Sequence, residues 1–166
     1  MEEFFSWADD VGLITLLNSG ELADSLAVPN FVRKLIEIAV PLLRKHPDHV
    51  ILLLSKGGEN HVKVLEDIPR DLRKGFIVSF SINPQVIVNR YERGTASADS
   101  RIKAARTASE MGFRVRIRID PIIPLPQAVW RSKCCTLIDR IFNSLHPSRK
   151  ISKMGVYSKS HHFNFG

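Results

Sequence analysis

Strand-like hydrophobic runs alternate with segments of helical periodicity along most of the chain. We predict strands at 11–18, 50–54, 76–82 and 114–119, with a weaker fifth strand at 151–156. Strands that are separated by helical segments, with no hairpin signals between them, are typical of parallel β/α units. The pattern therefore predicts an α/β fold with parallel strands, arranged as an open sheet or as part of a barrel.

Helical segments lie between the predicted strands. Apolar positions recur at three and four residues over 30–44, where Pro41 should kink the helix or end it early. A second helix has Ser97 as its N-cap and Gly112 as its C-terminal stop. The last covers 127–145, and its predicted core positions are Val129, Leu137, Ile138, Ile141 and Phe142.

Alternation within the last two clear strands places polar side chains on one face. These positions are Ser79, Ser81, Asn83, Arg114, Arg116, Arg118 and Asp120. A helical layer should cover the opposite, apolar face, so the polar side chains should point into whatever space the sheet encloses. Three arginines are poorly accommodated in a packed barrel interior, and an open, wet cavity suits them better.

Polar residues also follow the predicted strand ends. They are Asn18, Ser19, Gly20 and Glu21 after the first strand, Ser55 and Lys56 after the second, Ser81 and Asn83 after the third, and Asp120 after the fourth. Parallel α/β folds bind ligands at the carboxyl-terminal edge of the sheet, because the βα loops converge there. Each residue alone could serve a turn or a cap. Polar groups at four successive strand ends favour a ligand site.

Composition and size fit one ordinary globular domain. The chain has 166 residues, of which 44% are hydrophobic and 25% charged. No apolar run reaches the roughly 18 residues that a membrane span needs. The N-terminal segment is acidic, unlike a signal peptide, and the two cysteines, Cys134 and Cys135, are adjacent. We expect a cytoplasmic protein without a membrane span or a disulfide framework.

Charge is unevenly distributed along the chain. Residues 1–75 contain nine Lys or Arg and twelve Asp or Glu, whereas residues 76–166 contain fifteen and five. The basic half could bind nucleic-acid phosphates through Arg114, Arg116 and Arg118, or it could be an ordinary solvated surface. A basic nucleic-acid-binding module without catalysis is therefore one hypothesis for the function.

Other site chemistries find little support in the spacing of residues. The six histidines are scattered along the chain, with no HxxxH motif and no paired CxxC motif that would indicate zinc. No GxSxG motif supports a serine nucleophile, and Gly57-Gly58 is too short for a phosphate-binding loop. We assign no metal ligands from the sequence.

Several segments together resemble the spore photoproduct lyase family of radical S-adenosylmethionine enzymes. In chain order they read NSGELADSL, LLLSKGGENHVKVL, VSFSINPQVIVNRYERGTASADSRIKAARTASEMGFRVRIRIDPIIP and IFNSLHPSRKIS. The resemblance covers about 13–155 and is most specific over 79–124.

The resemblance implies a partial TIM-like barrel of the radical S-adenosylmethionine type. In the family, a 4Fe-4S cluster and S-adenosylmethionine lie at the carboxyl-terminal strand edge, and the radical formed there repairs thymine dimers in spore DNA. Carried over to this chain, the segment against the cofactor's methionine part contains Gly20, Glu21, Asp24 and Ser25. Lys56 matches the family's strand-end lysine. The residues at the adenosine side are Ser79, Ser81, Asn83 and Asp120.

Departures from the family pattern concern its cysteines. The cluster needs three thiolates spaced Cys-x-x-x-Cys-x-x-Cys, which Cys134 and Cys135 cannot provide. The hydrogen-donating cysteine that lyases place near 22–25 is also absent, and Val156-Tyr157 stands where relatives usually carry an arginine.

These departures predict one incomplete domain over 1–166 that lacks the first strand and the cysteine loop. The chain would be a truncated form, or a subunit whose cluster half comes from a separate chain, with DNA as a possible partner. A third possibility is a non-functional fragment with an exposed sheet edge.

Overall fold

Four parallel strands form a single sheet in the computed structural model, which describes residues 1–20, 24–123 and 126–145, without the side chains of 127 and 128. The strands are β1 (Leu16–Asn18), β2 (Val50–Ser55), β3 (Phe76–Ser81) and β4 (Arg114–Arg118). Their spatial order follows the chain order, and each neighbouring pair is parallel. The predicted α/β class is confirmed, with a first strand shorter than expected. The predicted fifth strand lies outside the described residues.

In the described part of the chain, six helices and two 3-10 turns connect or flank the strands. The helices are α1 (Glu2–Asp10), α2 (Pro29–Lys45), α3 (Glu59–Val62), α4 (Gln85–Tyr91), α5 (Ala98–Glu110) and α6 (Gln127–Leu145), and the turns are Lys63–Asp67 and Arg70–Gly75. Among the described residues, no helix has the length and apolar character to cross a membrane.

Helix α5 begins and ends as its sequence predicts. The Ser97 hydroxyl accepts a hydrogen bond from the Ser100 backbone N–H at 3.2 Å, which caps the first turn. Gly112 follows the helix with a φ of +97°, a conformation that glycine adopts without steric cost. Both termini are therefore set by local chemistry.

Helix α2 does not end early, which was one of the two alternatives predicted for Pro41. It runs through Pro41 to Lys45. Its buried stripe continues on both sides of the proline, and it consists of Val32, Ile36, Ala39, Leu42 and Leu43. Burying an aliphatic side chain stabilises a fold by about 1.5–3 kcal/mol, which together offsets the roughly 3 kcal/mol cost of an interior proline.

Helix α6 has the predicted bounds but a narrower buried stripe. Leu137 and Ile141 are buried, whereas Val129 and Phe142 are 42% and 48% exposed. Residues 141 and 142 lie about 100° apart around a helix, so only one of them can face α5, against which α6 packs. The prediction that Val129 and Phe142 face the core is wrong.

Two faces of the sheet differ as the strand alternation predicts. Phe76, Val78 and Phe80 are fully buried on the face that joins the hydrophobic core with the helices. The opposite face pairs Ser79 with Arg116 and Ser81 with Arg118 in register. The predicted polar face is therefore present, but both serines are buried and do not line an open cavity.

Candidate functional site

A buried carboxylate gathers polar groups at the carboxyl-terminal edge of the sheet. Glu92 follows α4, and its side chain is 5% exposed. Its Oε1 accepts hydrogen bonds from Lys56 Nζ at 2.9 Å and from Asn83 Nδ2 at 2.8 Å, and its Oε2 accepts one from Arg101 Nη2 at 2.6 Å. Since Lys56 follows β2, Asn83 follows β3 and Arg101 lies on α5, the carboxylate ties two strand ends to one helix.

Arg101 anchors this network in the interior. Its side chain is fully buried, and it donates to the Ser81 carbonyl at 2.7 Å and to the Ala96 carbonyl at 2.9 Å. Its Nη2 also donates to Thr95 Oγ1 at 2.6 Å. A buried guanidinium is tolerated when it is paired and hydrogen-bonded, and this one is bonded to strand, loop and carboxylate.

Glu92 is held in its anionic form. Burial alone would raise the pKa of the Glu92 carboxyl, but the hydrogen bonds from Asn83, Lys56 and Arg101 outweigh burial and lower the pKa below its ordinary value of 4.5. Near neutral pH the network therefore contains one negative and two positive groups.

Two polar groups at this edge are candidates for ligand contacts. Asn83 Oδ1 is buried and has no hydrogen-bond partner among the residues that the structure describes. The Asn83 amide orientation follows from its partner, because a carboxylate accepts hydrogen bonds but cannot donate them. The Lys56 side chain is 31% exposed, so part of it is accessible from solvent. The edge thus offers a buried acceptor near a partly exposed cation.

Asp24 and Ser25 lie at the same edge and are engaged with the backbone of β2 and the loop after it. Asp24 accepts hydrogen bonds from the N–H groups of Lys56 at 2.7 Å and of Leu26 at 2.9 Å. Ser25 Oγ accepts one from the Leu54 N–H at 2.9 Å. Both residues hold the loop after β1 against the end of β2.

The remaining predicted residues are more spread out. Gly20 is buried, and its N–H donates to Asn18 Oδ1 at 3.2 Å, whereas Glu21 lies outside the described residues. Ser79 lies two strand positions further from the edge than Ser81, and its hydroxyl accepts a hydrogen bond from Arg116 Nε at 3.1 Å.

Beyond the end of β4, Asp120 is half-exposed. It pairs with Arg118 at 3.0 Å, and no direct contact with Glu92 is recorded within the described part of the chain. Asp24, Lys56 and Asn83 are therefore brought close together, and Asp120 contacts its own strand.

Glu92 and Arg101 were not predicted from the sequence. A signal for Arg101 exists, because it falls in line with the buried Ala98, Ala105 and Ala108 of α5 at spacings of three and four. A charge on the apolar stripe of a helix requires a buried partner. No comparable local pattern identifies Glu92, which is separated from Lys56 by 36 residues in sequence.

A second polar cluster lies at the opposite end of β2. Asp9 contacts His46 Nδ1 through Oδ2 and His49 Nε2 at 3.0 Å through Oδ1, and the three candidate metal-ligand atoms lie within 4.8 Å of one another. The Thr15 N–H donates to His49 Nδ1 at 3.1 Å. A neutral His49 therefore carries its proton on Nε2, where it cannot ligate a metal. This arrangement fits a contact that fastens α1 better than a metal site.

The cysteines do not fit the iron-sulfur cluster that the family resemblance implies. Cys134 and Cys135 both lie on α6, one half-buried and one exposed. Burial raises the pKa of the Cys134 thiol, which disfavours the thiolate that a cluster ligand must be. Two adjacent cysteines cannot supply three converging thiolates, so we derive no cluster chemistry for this chain.

Comparisons with known proteins identify the fold and the family of this chain. Solved structures of a spore photoproduct lyase double mutant with bound AdoMet and dinucleoside spore photoproduct match with a TM-score of 0.74 and 21% identity, covering 92% of this chain and 44% of that one. A spore photoproduct lyase complexed with dinucleoside spore photoproduct matches with a TM-score of 0.72 and 21% identity, covering 87% and 42%. No curated protein matches.

These structures share the fold, and this chain spans less than half of their length. The family model described as spore photoproduct lyase matches residues 48–163, which is more than half of the chain. The chain belongs to the spore photoproduct lyase family.

Proposed function

We propose that this chain binds S-adenosylmethionine at the carboxyl-terminal edge of its sheet. The observation that carries the proposal is the buried Asn83 Oδ1, which has no hydrogen-bond partner among the described residues, beside the partly exposed Lys56. The bound AdoMet of a structural relative supports it. In the family this cofactor supplies radical chemistry when it is reduced.

The two atoms match groups of the cofactor. The Lys56 ammonium would bind the carboxylate of the methionine part, and Asn83 Oδ1 would accept a hydrogen bond from a ribose hydroxyl. The ammonium of the methionine part is disfavoured as the partner of Asn83 Oδ1. The Lys56 ammonium already donates to the Glu92 oxygen that Asn83 contacts, so the two cations would lie close together. The other proposed contacts of this edge are Gly20, Glu21, Asp24, Ser25, Ser79, Ser81 and Asp120.

Lyase activity requires more than this chain supplies. Its two cysteines cannot hold a 4Fe-4S cluster, so we propose that a separate chain contributes the cluster half of an assembled enzyme. A DNA photoproduct is the proposed substrate of that assembly, because one structural relative is complexed with dinucleoside spore photoproduct.

Isothermal titration calorimetry with S-adenosylmethionine tests the binding proposal. Asn83→Ala and Lys56→Ala should each weaken binding about tenfold, since a hydrogen bond to a charged group contributes roughly 1.5–3 kcal/mol and a neutral one about 1 kcal/mol. Asn89→Ala and Lys63→Ala change exposed residues of the same types and should leave binding unchanged. Absence of binding heat for the wild-type protein would overturn the proposal.

Nucleic-acid binding is a second candidate, favoured by the arginines of β4. Arg114 is exposed, and Arg116 and Arg118 share its face of the strand. Retention on DNA should fall steeply as salt increases, because phosphate contacts release counterions. Arg114→Ala should reduce the slope of that salt dependence, and retention insensitive to salt would contradict this candidate.

A further inference from the structure

We infer that Glu92 is the positioning residue of the proposed cofactor edge, acting through Asn83 and Lys56 and fixed in turn by Arg101. The inference rests on the proposed function and deepens it. It assigns a role to two residues that need not touch the cofactor themselves.

Glu92 determines which end of the Asn83 amide is available. Its Oε1 can only accept, so the Asn83 NH₂ group must point toward it and Oδ1 must point elsewhere. If the amide were reversed, Oδ1 would face a carboxylate oxygen and the buried NH₂ would lose its acceptor. The anionic carboxylate therefore presents an acceptor to the ligand in place of a donor.

Arg101 fixes the carboxylate itself. It holds Glu92 Oε2 at 2.6 Å and is attached by its other nitrogens to the Ser81 and Ala96 carbonyls. The Ser81 carbonyl belongs to the end of β3, only two residues before Asn83. The Glu92 carboxylate and the Asn83 amide are thus both held at the end of β3, which limits how far either group can rotate.

The network has one more positive than negative group, and Lys56 is the charged group that is partly exposed. Arg101 is buried and Glu92 nearly so, while Lys56 is partly exposed. One excess positive charge therefore faces solvent beside the Asn83 acceptor. A ligand that combines a carboxylate with a hydroxyl fits this pair of groups, as S-adenosylmethionine does.

A double-mutant cycle tests whether Glu92 acts through Asn83. Glu92→Gln is nearly isosteric, but its amide can both donate and accept, so Asn83 is free to reverse. We expect S-adenosylmethionine affinity, measured by calorimetry, to fall about tenfold in E92Q. Because Asn83 Oδ1 is already gone in N83A, adding E92Q to that variant should reduce affinity by less than about threefold.

A merely structural role for Glu92 gives a different result. E92Q would then leave affinity as in wild type, whatever its unfolding temperature, or it would lower affinity by the same factor in N83A as in the wild-type protein. Either outcome overturns the inference while the proposed function stands. If the wild-type protein does not bind S-adenosylmethionine, both fail together.

Matched variants complete the experiment. Glu110→Gln removes an exposed carboxylate that pairs with Arg106 on α5, and it should not change affinity. If E92Q does not fold, Arg101→Lys provides a second variant. It keeps the positive charge but has a single nitrogen, so it cannot bond Glu92 and the Ser81 and Ala96 carbonyls together as the guanidinium does. We expect a loss of about threefold or more for this variant, again masked by N83A, and unchanged affinity would count against the inference.

Discussion

The two ends of β2 carry buried polar clusters of opposite design. At the carboxyl-terminal edge the carboxylate of Glu92 is buried and the ammonium of Lys56 is partly exposed. At the amino-terminal end the imidazoles of His46 and His49 are buried, and the carboxylate of Asp9 is 48% exposed. One end turns positive charge outward and the other turns negative charge outward.

This difference separates the proposed binding edge from a structural contact. The Asp9 carboxylate joins α1 to the turn between α2 and β2, and the buried ring of Phe5 stacks on His49 at 4.7 Å. The Glu92 carboxylate joins strand ends to α5 and leaves a buried acceptor and a partly exposed cation beside each other. Both ends leave buried atoms without a hydrogen-bond partner among the described residues, namely Asn83 Oδ1 at one end and His46 Nε2 at the other. The partly exposed cation beside Asn83 is therefore what distinguishes the carboxyl-terminal edge.

Arg101→Met should have the largest effect on stability, because it leaves the Glu92 carboxylate buried without its main cation. Removing one partner of a buried ion pair costs about 3–5 kcal/mol of unfolding free energy, measurable by urea denaturation. Arg106→Met removes an exposed ion pair of the same helix and should cost less than about 1 kcal/mol. Equal losses of unfolding free energy in the two variants would show that the Glu92 network does not stabilise the carboxyl-terminal edge.

The location of this edge could be predicted from the sequence, but its central residues, Glu92 and Arg101, could not. The strand ends were predictable because hydrophobic runs are local and parallel strands end at one side of the sheet. Glu92 was not, since its partners are Lys56, Asn83 and Arg101, which are 36, 9 and 9 residues away in sequence. The contact of Asp9 with His46 spans 37 residues and was missed for the same reason.

Secondary structure shows the same division between local and distant causes. Helix α5 was predicted with its cap and stop because Ser97 and Gly112 act within a few residues. Helices α1 and α4 were not predicted, since they are only nine and seven residues long. The stability of so short a helix comes mainly from packing against other elements, which the sequence does not display.

Gly57→Ala should have the next largest effect, because it disturbs the loop that carries Lys56. An added Cβ would lie 2.6 Å from His61 Cγ and 2.9 Å from Ser55 Oγ, too close for either contact. Overpacking of this kind costs about 1–3 kcal/mol in unfolding free energy. Gly94→Ala is a useful comparison, since that position has a φ of +73° but open space around it, and should cost only about 1 kcal/mol through backbone strain. A stable G57A protein would show that the loop has room to move.

Acid should reduce the stability that the carboxylates at both ends of β2 contribute, and one variant at each end separates the two contributions. The pKa of Asp9 is lowered from 3.8, mainly by its hydrogen bond with His46, and the pKa of Glu92 is lowered from 4.5. A lowered pKa in the folded state gives stability that is present above the unfolded-state pKa and lost as pH falls through the folded value. Urea midpoints measured from pH 7 to pH 3 should therefore decline in the wild-type protein below about pH 4.5.

Glu92→Gln should flatten that decline more than Asp9→Asn, because Glu92 is buried and Asp9 is half-exposed. The unfolding free energies of both variants near pH 7 should also be lower than wild type, since each has lost a favourable charged contact. An acid decline identical to wild type in E92Q would show that the Glu92 carboxylate contributes no proton-linked stability.

Lys56→Met should have the smallest effect on stability. Lys56 is partly exposed, so its ion pair with Glu92 is screened and contributes less than about 1 kcal/mol, while Asn83 and Arg101 still hold the carboxylate. The urea midpoint should therefore remain close to that of Lys63→Met, an exposed lysine chosen as control. S-adenosylmethionine affinity should nevertheless fall about tenfold in K56M and stay unchanged in K63M. A large loss of stability with unchanged affinity would mean that Lys56 serves the fold, and the distinction between the two ends of β2 would no longer hold.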